Sequence, residues 1–266
     1  MRASTCLLAL VLFVCPALAE ALSRDEAYVL ARSGDIAATE AAFSAHQASF
    51  NAGDIGPGGY RSPYWVFKTT EPRVEATLGD WLDAYPDSPQ AAAARAMQLS
   101  HIAHLVRGGR FASETPSAAM ERFTGTAKEA FDLARGALDA EPRHLAAAYE
   151  VMTLAAFLGR RHDRDHAFQI IEKLDTPANV LLSGLRFNFS RWGGSPEATQ
   201  RFCEERAPLV PDISVEECLA LADYKQRDLY PERAAVAVAL LSKGSEKHFL
   251  EQHLSLIHIS EPTRPY

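Results

Sequence analysis

The sequence lacks two features that would each point to a class of function. Its apolar run at residues 6–14 is far shorter than the roughly 20 residues of a membrane-spanning helix, and no later segment is long and apolar enough to form one. Basic residues are not in excess, because 27 Lys and Arg stand against 34 Asp and Glu, for a net charge of −7. We therefore predict no transmembrane segment and no nucleic-acid partner.

Cysteine is scarce, and two of the four cysteines lie in the first 15 residues. The others, Cys203 and Cys218, lie about one turn before the end of one predicted helix and about one turn after the start of the next. In an antiparallel hairpin these positions are at similar heights, so we predict a disulfide that contributes on the order of 3 kcal/mol. The alternative is two separate buried thiols, since Cys218 also lies on an apolar stripe.

Strand patterns are missing as well, whereas helix-start signals recur along the chain. A hydroxyl residue followed by proline caps a helix and places proline where its missing amide costs nothing. Such pairs begin at Ser88, Thr115, Thr176 and Ser195, and capping boxes occur at Ser23 with Glu26 and at Ser214 with Glu217. Together with apolar stripes, they predict two helices between residues 23 and 50 and further helices at 72–85, 89–106, 117–140, 143–158, 164–174, 178–191, 196–206, 214–228 and 232–241.

A repeat organises the second half of the chain. Pro142, Pro177 and Pro211 each precede a predicted helix and lie 35 and 34 residues apart. This period is typical of helical hairpins that cover one another's apolar faces. The sequence therefore predicts an all-α fold, a tetratricopeptide-like α-solenoid of stacked antiparallel helical hairpins, with a degenerate repeat upstream of Pro142.

The two ends of the chain are predicted to lie outside this fold. Residues 1–19 resemble a signal peptide, with Arg2, an apolar run, and Ala17 and Ala19 before the expected cleavage. A membrane anchor or a lipoprotein modified at Cys15 is the alternative. We predict a periplasmic or secreted protein. Residues 254–266 resemble a translated sequencing adapter, so we expect them to be a non-native tail that is poorly packed.

The segment between the leader and the repeats contains glycines and aromatics. Residues 20–69 are predicted to form an N-terminal hairpin and a flexible Gly/aromatic joint, followed by a helical repeat domain at 70–253. Tyr64 and Trp65 in the joint are candidates for ligand stacking. We favour the alternative that they cover one end of the helical stack.

Histidines provide the other candidate site. His101 and His104 lie three residues apart on one predicted helix face, and His162 and His166 lie four apart on another. Neither pair belongs to a zinc-protease motif, and no third ligand is identifiable. We therefore predict no metal and no cofactor, and keep His101 and His104 as candidate binding residues.

The residues from Arg191 to Glu197, with the sequence RWGGSPE, resemble those of a bacterial family known as domain of unknown function 4034. The resemblance extends over residues 70–72, 81–86, His101 and 220–223. It implies a helical, tetratricopeptide-related protein without an established activity. Arg191 and Trp192 are candidate binding residues. We favour a structural role for them, in which Arg191 compensates a helix C-terminus and Trp192 covers a hairpin corner.

These observations predict an exported, non-enzymatic interaction module that binds a protein or peptide partner of the cell envelope. The alternative is a small-ligand-binding protein or metal-dependent enzyme with a pocket near His101, His104 and Arg191.

Overall fold

A computed structural model describes residues 21–108, 114–189, 194–211 and 213–226 of the chain. The described residues are helical and contain no strand. The α-helices are α1 Arg24–Ser33, α2 Ile36–Ala52, α3 Pro57–Arg61, α4 Pro72–Ala84, α5 Pro89–Arg107, α6 Ser117–Ala140, α7 Leu145–Phe157, α8 Arg161–Leu174, α9 Pro177–Leu185, α10 Pro196–Arg206 and α11 Val215–Lys225. Short 3₁₀ turns follow α3 (Pro63–Phe67), α9 (Arg186–Asn188) and α10 (Ala207–Leu209).

The helices pack as sequential hairpins, which confirms the predicted all-α repeat fold. Helix α5 packs on α6, α7 on α8, and α9 on α10, while contacts of α6 with α7 and of α8 with α9 join each hairpin to the next. Apolar residues at three- and four-residue steps drive this packing, because no hairpin can bury its own apolar face alone.

Most predicted helix starts agree with the structure. The hydroxyls of Ser88, Thr176 and Ser195 each accept a hydrogen bond from the amide three residues later. Both capping boxes are also present. At Thr115 the prediction differs from the structure, because Pro116 has an extended backbone and is itself the N-cap, so α6 begins at Ser117 without a side-chain cap.

One predicted helix is shorter in the structure, and another lies beyond the described residues. The helix predicted at 178–191 ends at Leu185, where the chain tightens into the 3₁₀ turn. The helix predicted at 232–241, the leader and residues 254–266 lie outside the described residues. Within the described part of the chain, no helix is long and apolar enough to cross a membrane.

The segment predicted to be a flexible joint forms α3 and the 3₁₀ turn after it. Three of its aromatic rings, Tyr60, Tyr64 and Phe67, lie within the main core and are fully buried with Phe43 and Trp81, whereas Trp65 is partly exposed. Helix α3 contacts α7, and the 3₁₀ turn contacts α1 and α5. The N-terminal helices therefore share one hydrophobic core with the hairpins up to Val180.

A second, smaller core lies C-terminal to the first. Cys203 and Cys218 belong to it and are joined by a disulfide with an S–S distance of 2.09 Å, and both residues are fully buried. The bond links α10 to α11. It lies among the apolar side chains Leu181, Leu185, Phe189, Ala207, Val210, Leu221 and Ala222.

Candidate functional site

Helices α5 and α7 present polar side chains on one partly exposed face. We call this surface the α5–α7 face and define it by His101, His104 and Arg107 of α5, Glu150 and Thr153 of α7, and Lys68 and Arg186 at its edges. Three- and four-residue steps place such residues on one side of a helix. The edge residues come from the ends of two 3₁₀ turns.

The histidine His104 is fixed in one orientation on this face. Its Nδ1 lies 2.7 Å from the carbonyl oxygen of Ser100. A carbonyl oxygen only accepts, so Nδ1 carries the hydrogen and Nε2 is left as an acceptor. The ring packs edge-on against Phe157, with centroids 4.8 Å apart.

The carboxylate Glu150 forms the base of the face. Glu150 is only 5% exposed. Nζ of Lys68 lies 3.5 Å from Oε1 of Glu150. The Lys68 side chain keeps 34% of its surface exposed, and its ammonium lies 4.6 Å from the centre of the Trp65 ring. Because a buried charge needs a partner, Lys68 compensates Glu150 while remaining accessible to solvent.

The guanidinium of Arg186 borders the face on the other side. Its Nη2 donates a hydrogen bond of 2.7 Å to Oγ1 of Thr153, but its buried Nε has no hydrogen-bond partner in the described part of the chain. Burial lowers the pKa of Arg186, and the nearby Glu150 opposes this shift. Arg186 thus retains an unused donor.

The remaining charged group, Arg107, lies one turn beyond His104. Its guanidinium carbon is 5.7 Å from the Phe157 ring centre and 5.8 Å from that of Phe123. Among the described residues no carboxylate forms an ion pair with it, and burial lowers its pKa. A cation over aromatic rings is stabilised by the ring quadrupole without being neutralised.

These groups give the face a positive electrostatic balance. Burial is the main cause that lowers the pKa values of His101 and His104, and the positive charge of Lys68 lowers both further. Both histidines are therefore neutral at neutral pH. The face then carries three cations, Lys68, Arg107 and Arg186, against the single carboxylate of Glu150.

A buried hydrogen-bond cluster supports the face from behind. The Asp175 carboxylate accepts a 2.8 Å hydrogen bond from the Tyr149 hydroxyl and a 2.7 Å bond from the Thr176 amide. The Arg61 guanidinium lies 3.4 Å from the same carboxylate and 3.7 Å from the Tyr149 ring centre. The cluster fixes α3 and the start of α9 to α7, so the residues of the face are held on a rigid scaffold.

The structure places some of the predicted site residues at the α5–α7 face and another in the core. His101, His104 and the partly exposed Trp65 lie on or beside the α5–α7 face. Tyr64 is fully buried, so it is unable to stack on a ligand from solvent. It packs edge-on against the Phe43 ring in the core. Arg191 and Trp192 lie outside the described residues.

The second predicted histidine pair lies on helix α8. His162 and His166 are both exposed on α8. The intervening Asp163 and Asp165 form ion pairs with Arg135 and Arg164. Within the described residues no group of three His, Cys, Asp or Glu side chains is placed to hold a metal ion.

Sequence reasoning missed Lys68, Arg107, Glu150 and Arg186 as members of the site. One signal was present in α7, where Glu150, Thr153 and Phe157 recur at three- and four-residue steps on an otherwise alanine-rich helix. A single carboxylate on a predominantly apolar helix indicates a charge with a specific partner. No local signal identifies that partner as Lys68.

No protein-family model, curated protein or solved structure matches this chain. The resemblance to domain of unknown function 4034 therefore stays a prediction.

Proposed function

We propose that the chain is an exported, non-enzymatic helical-repeat protein that acts in the bacterial periplasm or outside the cell by binding a protein or peptide partner. One observation carries the proposal. Charged, polar and aromatic groups from four separate segments converge on the partly exposed α5–α7 face, and the scaffold beneath them is fully packed. Helical repeats offer such extended faces to polypeptides.

The leader-like residues 1–19 and the resemblance to domain of unknown function 4034 support export and the repeat assignment. Export is tested by expressing the full chain in a bacterium and fractionating the cells. Cleavage after Ala19 and recovery in the periplasm or medium are expected. An uncleaved chain in the cytoplasm would contradict export.

Partner binding is tested by co-purification from a periplasmic extract with the full chain as bait. The double variant His101→Ala, Arg107→Ala removes two side chains of the face without breaking an ion pair between described residues. The matched control is Lys128→Ala on α6, whose side chain is 60% exposed. We expect the partner to be retained by the wild type and the control and lost by the double variant. Equal retention by all three chains would show that another surface binds.

A small-ligand site is the second candidate, because Nε2 of His104 is an acceptor without a hydrogen bond among the described residues, and it lies close enough to the carboxylate of Glu150 for the two to interact electrostatically. Zinc is the simplest probe. Incubation of metal-free protein with zinc, followed by gel filtration and elemental analysis, tests this candidate. One retained zinc per chain that is lost in His104→Ala would support it, and no retained zinc in the wild type would contradict a zinc site.

A further inference from the structure

We propose that the α5–α7 face binds carboxylate groups, and that its ligand is an acidic segment of the partner polypeptide. This inference rests on the proposed function, since it names the chemistry of the partner. Lys68 and Arg186 lie near the carboxylate of Glu150. Arg107 has no ion-pair partner among the described residues, and the two histidines of the face are neutral. The cluster therefore lacks at least one negative charge.

The donors that are available on the face support a carboxylate ligand. Nε of Arg186 is buried without a hydrogen-bond partner among the described residues, so this guanidinium contributes positive charge rather than a donor that a ligand reaches from solvent. The Arg107 guanidinium contacts aromatic rings rather than an acid. Arginine presents its N–H groups in a planar fork that matches the two oxygens of a carboxylate.

The arrangement of burial favours an anion that approaches from solvent. Glu150 lies at the base and is 5% exposed, whereas Lys68 keeps a third of its side chain exposed. An approaching carboxylate therefore contacts the ammonium of Lys68, while Glu150 stays buried beneath it. The Trp65 ring lies beside Lys68, and the Phe157 ring lies beside Arg107. Both rings supply apolar contact for the stem of a Glu side chain.

The chain as a whole is acidic, with a net charge of −7. Screening by salt limits repulsion between exposed charges to about 8–10 Å at ordinary ionic strength. The local excess of cations, rather than the net charge, therefore determines binding at this face. Binding should nonetheless weaken as salt is added, because Lys68 and Arg107 are accessible to counter-ions.

The experiment measures binding of a fluorescent synthetic peptide of alternating Glu and Gly to the full chain by anisotropy. The comparison probes are the same peptide with Gln in place of Glu and unlabelled acetate as a free carboxylate. We expect the Glu peptide to bind at least about tenfold more tightly than the Gln peptide, since charge-assisted hydrogen bonds carry the affinity. Displacement of the peptide by acetate only at far higher concentration would indicate a polypeptide ligand, and equal binding of both peptides would overturn the proposal.

Three variants locate the binding to the face. Arg107→Gln removes no ion pair between described residues and should weaken binding of the Glu peptide about tenfold. Glu150→Gln removes the only acid of the face and should strengthen binding several-fold. Lys128→Gln on α6 should change nothing. Opposite effects of Arg107→Gln and Glu150→Gln are specific to a charge-selective site, and an equal response of Arg107→Gln and Lys128→Gln would overturn the proposal.

The outcomes separate this inference from the proposed function. A partner that co-purifies through the face, together with no preference for the Glu peptide, contradicts the acidic ligand and leaves the interaction module intact. Binding of the Glu peptide without any co-purified partner supports the carboxylate site and counts against partner binding in the periplasm.

Discussion

The hydroxyl of Tyr64 lies 3.2 Å from Nε2 of His144, which is 80 positions further along the chain. The amide of Ala147 donates to Nδ1 of the same ring at 3.2 Å. Nδ1 is therefore unprotonated, and the hydrogen on Nε2 is donated to Tyr64. His144 thus caps α7 and joins that helix to the 3₁₀ turn after α3, in a site where both side chains are fully buried.

Replacing Tyr64 with Phe should destabilise the protein. The change leaves the Nε2–H group of His144 buried without an acceptor, which costs about 1–3 kcal/mol of unfolding free energy. Urea denaturation followed by circular dichroism measures this loss. Tyr85→Phe is the control, because Tyr85 is 37% exposed, and it should stay within about 0.5 kcal/mol of the wild type. Equal stability of the two variants would contradict the role of the Tyr64 hydroxyl.

Stability should fall in mild acid because of His144. Burial lowers its pKa from 6.5 to about 3. Between these values the unfolded chain binds a proton that the folded chain excludes, so the free energy of unfolding decreases as pH drops, by up to about 1.4 kcal/mol per pH unit. The pKa values of His46, His101 and His104 are also lowered, mainly by burial, and act in the same direction.

The measurement is urea denaturation at several pH values between 6.5 and 5, a range in which most carboxylates stay ionised. The variant His144→Asn keeps a side-chain acceptor for the helix cap but does not titrate. The unfolding of this variant should take up about one proton fewer than that of the wild type, so its free energy of unfolding should depend less steeply on pH. Parallel slopes would show that His144 is not the responsible group.

The helix pattern was predictable because its causes are local. Ser88, Thr176 and Ser195 cap their own helices, and a reader of the sequence finds each hydroxyl next to its proline. The charged face was not predictable in the same way. Lys68 and Glu150 are separated in the sequence by α4, α5 and α6, and nothing near either residue identifies the other.

Burial of the aromatic group shows the same limit. Tyr64 and Trp65 are adjacent in the sequence, yet the first is fully buried and the second is partly exposed. The tight 3₁₀ turn sends the two side chains in different directions. The groups that surround Tyr64 in the core, Phe43 of α2 and His144 before α7, are distant from it in the sequence. Sequence composition gives both residues the same propensity for a binding role.

Removing the disulfide should destabilise the second core more than the first. The bond closes a loop with a sequence separation of 15 residues, and the chain-entropy model assigns about 3 kcal/mol to a loop of that size. The variant with Cys203→Ala and Cys218→Ala should show faster amide exchange in α10 and α11 than the wild type. Exchange in α5 and α6 should change little, since both helices belong to the first core. Uniform acceleration across both cores would contradict a local role.

Gly194 should tolerate no side chain, because the chain passes directly over the backbone of Asn188. A Cβ atom at Gly194 would overlap the Asn188 carbonyl group, and the Gly194 amide donates a 3.1 Å hydrogen bond to the carbonyl of Phe189. Gly194→Ala should therefore lower the free energy of unfolding by at least about 2 kcal/mol, as other overpacked sites do. Gly125→Ala is the matched control, because a Cβ on that exposed turn of α6 meets no atom and alanine favours the helix by about 0.5–1 kcal/mol. Thermal denaturation of the two variants should shift in opposite directions, and a Gly194→Ala protein as stable as Gly125→Ala would show that the turn before α10 can move away from Asn188.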